Sequence, residues 1–273
     1  MDRNILSLKE VTIKDIPICG GKAANLGELI KLGLNVPKGF VITTEAYKNR
    51  KSNNIESEIL TSFKKLNVKY VAVRSSATAE DASKTSWAGQ LETYLFTDKK
   101  TLIQNINKCW DSLNSPRASA YQEKIHINPS KVSVAVIVQE MIDADVSGIA
   151  FTTHPVIKDN DIILIEAIYG LGEAIVSGMV TPDSYTFSKD KKSIINKESE
   201  IQERKIIGAG KGTEEVEMKI SEQYKPKLSD EKIKELAKVC VEIENHYKKP
   251  QDIEWCMKDD DIYILQSRPI TTL

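Results

Sequence analysis

Cysteine and histidine are scarce in this sequence. Its 273 residues include four cysteines (Cys19, Cys109, Cys240, Cys256) and three histidines (His126, His154, His246). No Cys-x-x-Cys pair occurs. Dispersed cysteines offer neither the clustered ligands of a structural zinc site nor the density of a disulfide-stapled scaffold, so buried, inert thiols are expected. Three imidazoles leave few ways to build a Ser-His or Cys-His nucleophilic site. Long apolar runs are also missing. The longest uncharged stretch, Val146–Ile157, is well short of the ~20 residues of a membrane helix. Met1-Asp2-Arg3-Asn4 leads into no apolar signal region, which points to the cytoplasm. Excess charge is absent too: 38 Lys and Arg against 39 Asp and Glu leave −1. That balance gives no electrostatic footprint for nucleic acid or a membrane surface. What is present, 41% hydrophobic and 28% charged residues, suffices for a globular core of about two domains or one two-lobed one.

Helical spacing of Leu26, Leu29 and Ile30 predicts a helix from Lys22, stopped at Gly33. Phe40–Thr43 and Val68–Arg74 read as strands, the second ending at a small-residue loop, Ser75-Ser76-Ala77-Thr78. The polar stretch from Lys48 to Glu58 suits a linker or surface helix, and Thr101–Tyr121 a helix. Val132–Val138 and Asp161–Ala167 have the β-branched, apolar character of buried strands. Hairpins are expected in the polar stretch between Thr186 and Lys227. Ser229 or Asp230 can then cap a helix whose face holds Ile233, Leu236, Ala237, Cys240, Ile243 and Tyr247. Without a regular βαβ rhythm, the class is α+β or mixed α/β.

The C-terminal segment reads as a hairpin around Lys258-Asp259-Asp260-Asp261. Ile253, Trp255 and Met257 alternate with Asp252, Glu254 and Cys256; on the return strand, Tyr263 and Leu265 alternate with Gln266 and Arg268. Placing Glu254 opposite Gln266 leaves a three-residue loop, Asp259–Asp261, and keeps the bulky odd positions on one face. Glu254, Gln266 and Arg268 then share a surface. Carboxylate and amide oxygens suit Mg²⁺, and an Arg fork suits phosphate. An ordinary solvated sheet face with one salt bridge accounts for the same residues.

Three other segments offer phosphate or nucleotide contacts. Gly20-Gly21-Lys22 opens a helix, where backbone N–H groups and a lysine can bind an anion; it is not a Walker A loop, because Ala23 follows the lysine. Arg74 is costly at the end of an apolar strand without an anion. The segment Asp81–Thr93 beyond it supplies Ser83, Thr85, Ser86, Trp87, Gly89, Gln90 and Thr93, a small-residue loop able to close over phosphates. Gln139-Glu140-Met141-Ile142 follows a buried strand, where free backbone groups could meet an adenine edge and Asp145 a ribose hydroxyl. Each piece also has a plain explanation as a turn, a surface loop or the end of a core strand. Gly170-Leu171-Gly172-Glu173 lacks the third glycine of a dinucleotide fingerprint.

Five stretches in order carry a resemblance: GGKAANLGELIKLGLNVPKGFVITTEAY (20–47), VAVRSSATAEDASKTSWAGQLETYL (71–95), VQEMIDADVSGIAFTTHPV (138–156), IEAIYGLGEAIVSGMVTPDSY (165–185) and QDIEWCMKDDDIYILQSRPIT (251–271). Together the sequence resembles the nucleotide-binding domain of the phosphoenolpyruvate synthase, pyruvate phosphate dikinase and rifampin phosphotransferase family. The resemblance implies an ATP-grasp fold, two α+β lobes with ATP between them, here an N-terminal lobe of residues 1–140 and a C-terminal lobe of 141–273. By motif, Lys22, Arg74 and Arg268 would act on the phosphates, with Gly89, Gln90 and Thr93 covering them. Gln139, Glu140, Met141 and Ile142 would line the adenine pocket, with Asp145 near the ribose. Glu254 and Gln266 would hold Mg²⁺.

The resemblance further implies that ATP is split to AMP while its β,γ-diphosphoryl group goes to a histidine of a swivelling domain. That domain would lie on a separate chain or in a missing C-terminal part, and would serve a small acceptor, pyruvate or an antibiotic. No histidine motif of that kind occurs here, Arg50–Val68 is shorter than in relatives, and His154 takes no role by motif. Two other classes compete: a non-catalytic ATP-binding regulatory module, and an ATP-grasp ligase that releases ADP.

Overall fold

The computed structural model describes residues 3–50, 54–78, 92–124 and 132–270. The chain divides into two compact units. The first comprises Met1–Gly33, Pro37–Met141 and Gly210–Gly212; the second comprises Leu34–Val36, Ile142–Ala209 and Thr213–Leu273.

The first unit runs β1 (Ile5–Ser7), α1 (Ile16–Lys31), β2 (Gly39–Ile42), α2 (Thr44–Lys48), α3 (Ile55–Leu66), β3 (Val71–Ala77), β4 (Thr93–Thr97), α4 (Leu102–Asp111), α5 (Pro116–Lys124) and β5 (Val134–Glu140). Its strands form one antiparallel sheet in the order β1-β2-β5-β3-β4. Alternation sends Val71, Val73, Val134, Val136 and Val138 into a core with Ile55, Ile59 and Phe63 of α3 and Leu102 and Ile106 of α4. The opposite face carries Arg74 and Ser76, and α1 packs there on β3 and β5. The predicted helix over Thr101–Tyr121 is interrupted by a 3₁₀ turn at Ser112–Asn114, before Pro116 opens α5. The polar stretch after Lys48 enters α3, whose apolar residues Ile55, Ile59 and Phe63 are buried.

The second unit runs β6 (Val146–Phe151), β7 (Ile162–Tyr169), α6 (Glu173–Val176), β8 (Asp183–Ser188), β9 (Ser193–Glu198), β10 (Arg204–Gly208), β11 (Thr213–Glu217), α7 (Ile220–Gln223), α8 (Asp230–Tyr247), β12 (Gln251–Lys258) and β13 (Asp261–Pro269). Six strands form an antiparallel sheet, β13-β12-β6-β7-β8-β9, and β10 pairs with β11 alone. The Ser229 hydroxyl caps α8 by accepting from Lys232 N–H, and Ile233, Leu236, Ala237, Cys240 and Ile243 are buried as their spacing predicts. Trp255 lies over Gly148, its partner on β6, where a side chain would strike the indole and the Glu166 carbonyl. Only glycine fits there. Antiparallel sheets with helices packed on them make the class α+β.

Asp183 and Lys227 form a fully buried ion pair, Oδ1 to Nζ 2.7 Å. The same carboxylate accepts from Tyr185 Oη, Glu200 N–H and Lys227 N–H. Every charge in this knot has hydrogen-bonding company, the condition under which burial is tolerated. All four cysteines are buried and free. Burial pushes each thiol up to about 12.

Candidate functional site

In the first unit, Lys22 sits near the start of a helix that Gly20 creates. Gly20, with φ 75° and ψ 168°, breaks α1, and helical geometry resumes behind it through Lys31. A β-carbon at Gly20 would collide with the hydroxyl and backbone of Ser76, so glycine permits the close approach to β3 as well as the positive φ. Two contacts fasten this corner: Ala23 N–H donates to Ser76 Oγ at 3.3 Å, and Lys22 Nζ donates to the Ser75 carbonyl at 3.4 Å.

Arg74 is not at a strand end. β3 continues through Ser75, Ser76 and Ala77, which pair with Val136, Ala135 and Val134 of β5. The small polar residues fit because their hydroxyls find buried partners. Ser75 Oγ donates to the Cys109 carbonyl and meets Ser112 Oγ, while Ser76 Oγ serves Ala23. On the other flank Arg74 pairs with Thr93 of β4. Arg74, Thr93 and Lys22 are therefore brought together; Gly89 and Gln90, with Ser83, Thr85, Ser86 and Trp87, lie outside the described residues, as does His126.

Gln139 and Glu140 likewise belong to β5 and do not leave it. Gln139 is buried opposite Gly39 and Ala72, and its Nε2 donates to the Pro37 carbonyl. Two backbone amides expected to be open to an adenine edge are taken: Glu140 N–H by the Lys38 carbonyl and Met141 N–H by the Tyr70 carbonyl. The strand ends later than predicted because these neighbours extend its ladder. Met141 and Ile142 are half-buried.

In the second unit, Asp145 is exposed, and both of its oxygens are engaged, Oδ1 by Lys258 Nζ at 2.8 Å and Oδ2 by Asp259 N–H at 3.1 Å. Burial alone would raise its pKa, but these hydrogen bonds and the Lys258 charge outweigh it and hold the carboxyl below its usual range.

The hairpin pairs Glu254 with Gln266, as the alternation predicts, and Asp252 with Arg268. Gln266 Nε2 donates to Glu254 Oε1 at 3.1 Å. Arg268 donates from Nε and Nη2 to Asp252 Oδ2, at 2.9 and 2.7 Å. The loop differs from expectation. It is a two-residue turn with Asp259 and Asp260 at φ 50° and 67°, the positive-φ pair of a tight hairpin, and the register shifts between Glu254 and Trp255, so that Leu265 is passed over. That bulge moves Tyr263 opposite Cys256 and turns Ile262 and Ile264 into the core beside Trp255. The predicted single face for all odd residues is therefore wrong near the turn, where core packing requires the isoleucines inside.

Sequence reasoning assigned no role to two carboxylates on this face. Asp252 is one. Glu166 is the other, since Glu254 pairs with Ile149 of β6 and Ile149 with Glu166 of β7. Burial, and secondly Asp252, push the Glu166 carboxyl above its usual range. Burial raises Asp252 as well, against the pull of Arg268. The signal for Glu166 was a lone carboxylate inside an otherwise apolar strand. His154 is fixed locally: its Nδ1 accepts from Val156 and Ile157 N–H.

A fork of nitrogens beside a carboxylate–amide pair can hold a phosphate and the oxygen-loving cation that accompanies it. Known proteins resemble this chain over nearly its whole length. A probable phosphoenolpyruvate synthase of Archaeoglobus fulgidus is 39% identical over 317 residues, covering 98% of this chain and 42% of that protein. A rifampicin phosphotransferase of Bacillus subtilis is 37% identical over 317 residues, covering 100% of this chain and 36% of that protein. The chain thus spans less than half the length of these relatives. A D-alanine–D-alanine ligase structure from Helicobacter pylori aligns with a TM-score of 0.44 at 8% identity, over 92% of this chain and 54% of that one. The profile described as the AMP/ATP-binding domain of pyruvate phosphate dikinase matches residues 16–70 and 50–273. The chain belongs to the pyruvate phosphate dikinase AMP/ATP-binding domain family.

Proposed function

We propose that this chain is the ATP-binding catalytic part of a phosphoenolpyruvate synthase-like dikinase with an ATP-grasp fold, its two lobes being residues 1–140 and 141–273. It transfers the β,γ-diphosphoryl group of ATP to a histidine on a separate swivelling domain. The histidine nitrogen bonds to the β-phosphorus, the bond from that phosphorus to the α–β bridging oxygen breaks, and AMP leaves with the oxygen. The observation that carries this reading is the pair of rows on β12 and β13, Glu254 opposite Gln266 and Asp252 opposite Arg268, within a chain of this family.

Lys22, Arg74 and Arg268 bind and neutralise the phosphates, and Thr93 stands beside Arg74. Gly89 and Gln90 are proposed to complete the cover. Gln139 through Ile142 line the base, with Asp145 near the ribose. Because Glu140 and Met141 N–H groups are already bonded, base contacts there fall to carbonyls and side chains. Transfer of this kind rests on positioning and charge stabilisation. The donor set fits Mg²⁺: Glu254 supplies a carboxylate and Gln266 an amide oxygen once its amide turns over, and Mg²⁺ is typically held by one or two protein oxygens plus substrate phosphates. When bound, the ion neutralises charge on the transferred group.

The test mixes the chain with Mg-ATP and the histidine domain of a relative, and measures AMP and phosphohistidine. AMP production is expected, with Glu254→Ala lowering it about 10²-fold or more. No AMP above background with a competent histidine domain sinks the proposal. ADP as product indicates a ligase, and ATP binding without turnover indicates a regulatory module. The Bacillus subtilis relative favours an antibiotic as a second candidate for the final acceptor, with pyruvate the first.

A further inference from the structure

We propose that Ser76 is a positioning residue that sets Lys22 beside Arg74, an inference that rests on the phosphate-binding reading of Lys22. Helical geometry resumes after Gly20 on the segment carrying Lys22, and the first N–H groups of a helix lie beyond the reach of its own carbonyls. A capping Ser, Thr, Asp or Asn usually meets this need from the position just before the helix. Here that position is a glycine, and a residue far along the chain does the work: Ser76, fully buried on β3, accepts from Ala23 N–H.

The geometry around this contact is exact enough to exclude slack. Gly20 lies so close to Ser76 that any side chain there would overlap the serine hydroxyl and backbone. Strand alternation puts Ser76 on the same face as Arg74, two residues and about 7 Å away along β3. Lys22 Nζ reaches the Ser75 carbonyl, in the backbone between them. The cap therefore joins the helix that bears one cation to the strand that bears another, and holds two like charges together as an anion site requires. Ser75 is the natural contrast. It is equally buried, but its hydroxyl faces the other way, toward Cys109 and Ser112. Its carbonyl, which serves Lys22, survives substitution.

The test is a double-mutant cycle on Mg-ATP affinity, by calorimetry, using the full chain and the variants Ser76→Ala, Lys22→Ala, their combination, and Ser75→Ala. Ser76→Ala is expected to weaken binding roughly 3- to 10-fold, as loss of one buried hydrogen bond implies. That penalty should vanish in the Lys22→Ala background, because Ser76 acts through Lys22. Ser75→Ala should lower the thermal midpoint without changing affinity. If Lys22→Ala leaves affinity unchanged, the phosphate-binding reading of Lys22 falls, and this proposal with it. If Lys22→Ala weakens binding but the Ser76→Ala penalty is absent, or persists in full without Lys22, this proposal alone is overturned. Should Ser76→Ala not fold, Ser76→Cys, whose sulfur is a weak acceptor, takes its place in the cycle under the same criteria.

Discussion

Arg268 faces Asp252 directly across the β12–β13 ladder, and two of its nitrogens converge on one oxygen, Oδ2, at 2.7 and 2.9 Å. The pair is largely screened from water, so removing the arginine leaves a carboxylate whose burial already opposes its charge. Arg268→Ala should cost about 2–3 kcal/mol at neutral pH by urea unfolding. The penalty should shrink as pH falls through the carboxylate range, where Asp252 is neutralised. Removing Asp252 as well should recover part of the loss at neutral pH.

Glu166 supplies a pH test of opposite character to an ordinary ion pair. Its carboxyl is raised in the folded protein, so over that window the native state binds more protons than the unfolded chain. Stability then falls as pH rises from the unfolded value through the folded one. Glu166→Gln should raise the thermal midpoint modestly near pH 7.5 and leave it unchanged near pH 3. A midpoint lowered equally at both values would show that contacts of the carboxyl group, whatever its charge, outweigh the cost of ionising it.

The Asp183–Lys227 knot should be among the most sensitive points of the second unit. Asp183→Ala strands a buried ammonium and removes the acceptor for Tyr185, Glu200 and the Lys227 backbone. A loss of about 3–5 kcal/mol is expected in urea unfolding. Replacing both partners by apolar residues of similar volume should cost less than Asp183→Ala alone.

The four thiols, each pushed up to about 12, should be silent toward a thiol-reactive chromogen at pH 8 in the native state. All four should react once the protein is unfolded. Rapid labelling of any one under native conditions would contradict its burial.

Much of this architecture can be read locally. The cap at Ser229, the apolar spacing of α8 and the Glu254–Gln266 register follow from periodicity, because one residue of slip would mix polar and core faces. What escaped depends on distant partners. Ser75 and Ser76 look like loop residues until Cys109, Ser112 and Ala23 are placed beside their hydroxyls. Gln139 and Glu140 look like a strand exit until Pro37, Lys38 and Tyr70 claim their polar groups. The Leu265 bulge answers to Trp255, which needs Ile264 opposite it. Glu166 shares the candidate face because β6 lies between β7 and β12, a neighbourhood set by strands distant in sequence.

Asp145 gives the hairpin a quality that its own two strands lack. With one oxygen on Lys258 and the other on Asp259 N–H, it pins the turn from outside, about 13 Å along the strand from Glu254. The bulge at Leu265 pins the ladder again beside Glu254 and Gln266. A sliding strand would have to break both fastenings at once. The two side chains are thus kept face to face by constraints that never touch them, like teeth held in mesh by the fixing of their axles. Backbone amides from Trp255 to Ile264 should accordingly open to hydrogen exchange as one cooperative block.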